Sequence, residues 1–200
     1  MPAPIQKIAL STRGLTMAYP GMVALSGFDL DLVAGQIHGL VGANGAGKST
    51  LIKILSGLQT PTRGTITVGG DDVVIRNVSS AQQLGISVVH QELPLLPNLT
   101  AAQNVVLGRE RGRLLSPASR REGRRAYRRA AVEFAGAPPA SGRLEKESLY
   151  AWQVVAIMRA MASDARVLIL DEPTSSLTVD ERNALHVRLR ALAARGIAVL

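Results

Sequence analysis

Residues 28–32 alternate apolar and polar with period two, which predicts a strand with one buried face. Residues 35–41 predict a further strand that runs into a glycine-rich turn, and residues 48–55 a helix. Short strands are expected around 64–68 and 72–75, with Gly69-Gly70 between them as a hairpin turn, and another at 86–90. Beyond Pro94 and Pro97, helical spacing dominates from Thr100 to about Ala162. Residues 166–171 form a continuous apolar run closed by acid, the pattern of a strand covered on both faces of a parallel sheet. A helix follows over 180–194, and a last strand opens at 197 and stops at 200, which leads to the expectation of a longer parent protein truncated at its C-terminus. Alternating strands and helices predict an α/β fold with a mainly parallel central sheet, an antiparallel β portion and an inserted helical subdomain. The expected boundaries are 1–91 for the phosphate-loop core, 92–162 for the helical subdomain and 163–200 for the rest of the core.

Composition narrows the classes. With 46% hydrophobic and 19% charged residues among 200, the chain is an ordinary globular sequence and not a disordered or collagenous one. Cysteine is absent, which removes disulfide frameworks, thiolate zinc sites and catalytic thiols together. The apolar runs fall far short of the roughly 20 residues of a spanning helix. The opening Met-Pro-Ala-Pro-Ile-Gln-Lys lacks a positive start followed by an apolar stretch, so no secretory signal is expected.

The net charge of +8 is concentrated. From Arg109 to Arg129 nine arginines face two glutamates, Glu110 and Glu122. One reading is the solvated face of a helix over about 116–135, with Ala126, Ala130, Ala131 and Phe134 turned to a core. The other is an electrostatic contact with nucleic acid or anionic lipid, poorly supported for single strands because Tyr127 is the lone aromatic in the run.

The strongest chemical signal is Gly42-Ala-Asn-Gly-Ala-Gly47-Lys48-Ser49, which fits the phosphate-loop pattern between a predicted strand and a predicted helix. Glycines let the backbone bend closely around phosphate oxygens, and amides at a helix start form an anion nest. Lys48 is expected to reach the β and γ phosphates of ATP and Ser49 to offer its hydroxyl to Mg²⁺. Gly42, Asn44, Gly45, Gly47, Lys48, Ser49 and Thr50 are thus the expected nucleotide-binding residues. Asp171, closing the buried run, suits Mg²⁺, and Glu172 suits the orientation or deprotonation of an attacking water. The competing reading has both carboxylates cap the next helix.

These motifs carry a resemblance over nearly the whole chain. The ordered set Tyr19-Pro-Gly-Met-Val-Ala-Leu25, residues 42–50, Val89-His-Gln-Glu-Leu-Pro-Leu-Leu-Pro-Asn-Leu-Thr100 and Leu168-Ile-Leu-Asp-Glu-Pro-Thr-Ser-Ser-Leu-Thr178 resembles the ATP-binding subunits of ABC transporters. Within these it is most similar to the first nucleotide-binding domain of sugar importers of the ribose and xylose type. The resemblance implies that Tyr19 stacks on adenine, that Gln91 contacts Mg²⁺ and reports the γ-phosphate to a membrane partner, and that Glu172 is the catalytic base. It also implies a transmembrane permease, a second nucleotide-binding domain, indirectly a solute-binding protein, no nucleic acid, and a cytoplasmic site peripheral to the membrane.

Two departures stand out. The family's Leu-Ser-Gly-Gly-Gln-like signature grips the γ-phosphate bound by an opposite domain, and Glu147-Ser148-Leu149-Tyr150-Ala151 occupies that position, with Ser148 alone retained. Glu147 adds negative charge near phosphate and Tyr150 stands where a glycine permits close approach. The family's switch histidine lies beyond residue 200, and His38, His90 and His186 do not stand in for it. The expected function is therefore ATP binding and hydrolysis coupled to import of a sugar or similar polar solute. The alternatives are a nucleic-acid-linked ABC ATPase and a regulatory nucleotide-binding domain with weak hydrolysis.

Overall fold

The computed structural model describes residues 7–107, 117–132, 134 and 136–200. They fall into two compact units: one of the described residues up to Val88 with Ala165–Asp171 and Leu189–Leu200, the other of Val89–Asp164 and Glu172–Arg188.

In the first unit, β1 (Ile8–Tyr19) and β2 (Met22–Val33) form a long antiparallel ribbon. With β3 (Arg63–Val68) and β4 (Asp71–Val73) they make a sheet of order β2-β1-β3-β4. The hairpin expected across Gly69-Gly70 is present. The sequence pattern does not reveal β1, because Ala9, Leu10, Ser11 and Thr12 are all buried in succession and periodicity is lost. Thr12 is satisfied by donating its hydroxyl to the Phe28 carbonyl, and Ser11 pairs with the Thr67 hydroxyl. At Gly14 the ribbon's register shifts, and the Gly14 N–H donates to Asp29 Oδ1 at 2.6 Å.

The helix α1 (Lys48–Leu55) has the predicted bounds. It buries Leu51, Ile52, Ile54 and Leu55 against a core that includes Leu10, Leu15, Leu32, Val167, Ile169 and Ala198. A second sheet has the order β5 (Ile86–Val89), β6 (Val167–Leu170), β7 (Ala198–Val199), with β6 and β7 parallel. The four consecutive buried residues of β6 match the two-sided burial read from sequence. The strand expected over 35–41 is corrected to a single parallel bridge, Ile37 to Val199, framed by His38 N–H to Val199 O and Val199 N–H to Gln36 O. Gly35 sits in a turn and Val41 is almost wholly exposed, so the chain has peeled away from the sheet before the phosphate loop begins.

The first unit also contains α2 (Val78–Gln83). In the second unit α3 (Ala101–Val106), α4 (Pro117–Ala131) and α5 (Leu149–Met161) pack together, and of α6 (Val179–Ala194) the residues up to Arg188 belong to this unit and those from Leu189 to the first. Asn104 is completely buried; its amide donates to the carbonyls of Leu96, Leu99 and Thr100 and its oxygen accepts the Leu96 N–H, so the 96–100 turn is fastened to α3. On α4, Gly123 and Tyr127 face inward while Arg121, Arg124, Arg125, Arg128 and Arg129 are exposed, the solvated-face arrangement. Arg109, Arg111 and Arg113 lie outside the described residues.

The helical stretch expected up to Ala162 is broken among the described residues between 132 and 148. Pro138 and Pro139 supply no N–H there, and one short 3₁₀ turn, Leu144–Lys146, intervenes. The buried Tyr127 hydroxyl donates to the Pro138 carbonyl. Burial, with the nearby Glu147 charge, pushes the Tyr127 phenol up to about 12 from 10.0. The unfolded chain therefore loses this proton first, and stability present below pH 10 declines as the pH rises toward 12. Urea titrations across this range are expected to show that alkaline decline, and to show it flattened in Tyr127→Phe. Among the described residues no helix is long and apolar enough to cross a membrane.

Candidate functional site

A helix start leaves its first amides without intrahelical acceptors. In α2, α3 and α5 a side chain from Asn77, Thr100 or Ser148 accepts one of them. In α1 the cap is Gly47, no side chain accepts, and no acidic residue occupies the first turn. The N–H groups of Lys48, Ser49 and Thr50 are thus presented by a helix start that the protein itself does not cap.

Gly47 can only be glycine: its φ is 85°, and a Cβ would lie 2.5 Å from the Ala24 carbonyl oxygen. Contact with Ala24 and Leu25 fixes the loop's C-terminal end against β2. Gly45 has φ 82° and open space where a Cβ would project. Residues 42–46 are exposed. The Lys48 ammonium folds over this loop, donating to Gly42 O at 2.7 Å and Ala43 O at 2.9 Å. An uncapped helix start, glycine-lined backbone and a tethered ammonium fit a phosphate group in charge, donor chemistry and space.

Acidic chemistry arrives from the parallel sheet. Because 36–38 and β6 both run parallel to β7, which separates them, the phosphate loop and Asp171 leave the same sheet edge. Their strands stand about 10 Å apart, two interstrand spacings. The Ser49 hydroxyl and Asp171 carboxylate are oxygen donors of the kind Mg²⁺ takes alongside phosphate and water. Among the described residues no three His, Asp or Glu gather to hold a metal unaided.

Glu172 follows with φ 46°, in the left-handed region that non-glycine residues rarely enter. Its carbonyl accepts the Ser175 N–H and hydroxyl, and its side chain is exposed. The helix-cap reading of these two carboxylates does not hold: α6 is served by Thr178 Oγ1, which accepts the Glu181 N–H, while Glu181 Oε2 accepts the Thr178 N–H. The Thr-x-x-Glu spacing is the signal that reveals this cap in the sequence.

Tyr19 ends β1, half-buried, with its hydroxyl held by Gln59 Oε1 at 2.8 Å. Gln59 has no motif and is found only through this contact. The first unit thus carries Tyr19, the whole phosphate loop and Asp171. Gln91, exposed two residues beyond β5, belongs to the second unit, as do Glu172 and Ser148.

At the altered signature, Ser148 is the N-cap of α5 and its Oγ accepts the Ala151 N–H at 3.2 Å. The Arg188 guanidinium of α6 lies over the Tyr150 ring, 5.2 Å from its centroid. Tyr150 Oη and Arg188 Nε and Nη1 are buried without hydrogen-bond partners among the described residues, and burial lowers the Arg188 pKa. The ring's π-face compensates for part of that loss. Sequence alone does not connect Tyr150 with Arg188.

Residues 25–175 match the family described as ABC transporter. Ribose import ATP-binding protein RbsA 1 of Burkholderia thailandensis is 44% identical over 195 residues, covering 96% of this chain and 38% of that protein. RbsA 2 of Streptomyces coelicolor is 41% identical over 194 residues, with 96% and 37% covered. The chain therefore spans about 38% of the length of the curated relatives it matches. Among solved structures, the ADP conformation of an ATP-binding cassette of an ABC transporter superposes with a TM-score of 0.84 at 20% identity, over 97% of this chain and 80% of that one. A nucleotide-free cassette gives 0.82 at 20% identity over the same shares. With its phosphate loop, its acidic strand end and a family match across most of its length, the chain belongs to the ABC transporter family and has the ATP-binding cassette fold.

Proposed function

We propose that this chain is the nucleotide-binding part of a subunit that hydrolyses ATP to drive import of a sugar through a membrane permease. The observation that carries the reading is α1, whose amides have no side-chain cap and whose Lys48 ammonium is held over the glycine loop. In this reading residues 42–50 hold the triphosphate, with Asn44 and Thr50 lining it, and Tyr19 offers its ring to adenine. Ser49, Asp171 and Gln91 hold Mg²⁺, which neutralises phosphate charge when bound. Glu172 takes the proton of the attacking water. Positioning and electrostatic stabilisation of the transition state supply most of the acceleration.

The ribose class follows from the relatives' names and from 41–44% identity with them. A permease, a second nucleotide-binding domain and a solute-binding protein complete the assembly, and the chain works at the cytoplasmic face of the membrane. The second reading, weak hydrolysis at the site that uses this chain's signature, is favoured by Tyr150, Glu147 and the engagement of Ser148 as a helix cap.

The test is uptake of radiolabelled ribose, galactose and a nucleoside into proteoliposomes holding the full-length subunit, its permease and its binding protein. ATP-dependent accumulation of a sugar is expected. ATP turnover that is tight and solute-independent, with no sugar accumulated, overturns the transport assignment while leaving the nucleotide site intact.

A further inference from the structure

The second unit holds a cavity of about 400 Å³ that the nucleotide reading does not use. Its polar lining is Asn98, Thr100, Gln103, Arg124, Ser141 and Arg143. That volume falls in the range of small-molecule sites, about 300–1,000 Å³. The cavity's framework is laced together by the backbone. Ala101 N–H donates to Gly142 O, Ala102 N–H to Ala140 O and Leu144 N–H to Leu99 O, while buried Asn104 fastens the 96–100 turn. The first amides of α3 are consumed in this lacing, so recognition here belongs to side chains.

Those side chains are biased toward donation. In the capping box of α3, Thr100 Oγ1 accepts the Gln103 N–H and Gln103 Oε1 accepts the Thr100 N–H. Each accepts with its oxygen, which leaves the Thr100 hydroxyl hydrogen and the Gln103 amide NH₂ as donors. Arg124 from α4 and Arg143 from the segment before α5 add two guanidinium groups, which donate only. Among the described residues no carboxylate lines the cavity. Among the described residues Arg143 has an acidic contact with Glu145, 3.7 Å long between exposed groups, which competes weakly.

A wall of donors with two exposed guanidinium groups selects a ligand that accepts from several directions, and a phosphomonoester dianion offers three such oxygens. Asn98 and Ser141, which both donate and accept, suit hydroxyl groups on the ligand's body. We propose that this cavity binds the phosphate of a small phosphorylated sugar or polyol, at a site separate from the phosphate loop. The inference stands apart from the transport reading, because it uses neither the loop nor Asp171 or Glu172.

Isothermal titration with ribose 5-phosphate tests it in the chain carrying Lys48→Ala, so that the phosphate loop contributes little. Saturable one-to-one binding is expected below about 1 mM. Arg124→Glu and Arg143→Glu should each weaken it about tenfold, and together about a hundredfold. Ribose without phosphate should bind at least about tenfold more weakly. With Lys48 intact, both charge reversals should leave ATP affinity unchanged, which reports that the chain is still folded. Absence of saturation up to about 5 mM, indifference to both reversals, or equal affinity for ribose overturns the proposal. So does arginine-dependent flotation with phosphatidic acid vesicles in the absence of ribose 5-phosphate binding, which assigns the arginines to a lipid headgroup.

Discussion

Lys48→Ala is expected to weaken ATP binding by about 30- to 150-fold, or about 2–3 kcal/mol, the scale of a lost charge-assisted hydrogen bond. The ammonium's partners are the exposed carbonyls of Gly42 and Ala43, which water can satisfy after truncation, so thermal stability should barely move. Affinity and stability therefore separate, as they must if the lysine serves a ligand rather than the fold. Lys53 supplies the control: it carries the same charge in the last turn of the same helix, exposed and remote from the uncapped start. Lys53→Ala should change affinity by less than about threefold, the scale of a screened surface charge. Titration of a fluorescent adenylate analogue measures both. Equal loss in the two variants would reduce the effect to general attraction between a basic chain and a polyanion, and would remove the phosphate loop from the site.

The loop was legible because its chemistry is local. Eight consecutive residues hold the glycines, the lysine and the hydroxyl, and the helix they open begins at Lys48 as the spacing predicts. The acidic strand end was legible for a similar reason: four apolar residues followed by Asp171 encode both burial and exit. What the sequence hid depends on long-range pairing. β1 buries Ser11 and Thr12 through partners as distant as Thr67 and Phe28, so its pattern looks like neither strand nor helix. Residues 35–41 have the composition of a strand, yet one bridge to Val199 is all the neighbouring strand supports. Ser148 illustrates a third limit. Its position at a helix start was readable, but its engagement with Ala151 and the stacking of Arg188 on Tyr150 depend on how α5 and α6 are built. On the Arg-rich helix the solvated face is present at Arg121, Arg124, Arg125, Arg128 and Arg129, but the buried positions within α4 are Gly123 and Tyr127, while Ala126, Ala130 and Ala131, expected to face the core, are half-buried.

Glu172→Gln should lower single-turnover hydrolysis in the assembled full-length protein by about 10²–10³-fold, the range of a lost general base. ATP should still bind, since Gln keeps the side chain's shape and hydrogen bonds and loses only its capacity to take a proton. A purely structural carboxylate would behave otherwise, and the backbone offers a way to tell the two apart. Glu172 holds φ 46°, a conformation that costs a non-glycine residue about 1–3 kcal/mol. Glycine adopts it freely, so Glu172→Gly should raise the melting temperature while abolishing hydrolysis as fully as Gln does. Stability and turnover then move in opposite directions at one residue, the signature of strain retained for chemistry. The α6 cap is supplied by Thr178 and Glu181, so neither substitution uncaps a helix. If Glu172→Gln leaves phosphate release at its original rate, the proton goes to another acceptor. If Glu172→Gly destabilises the fold, the left-handed turn is held by the side chain and not in spite of it.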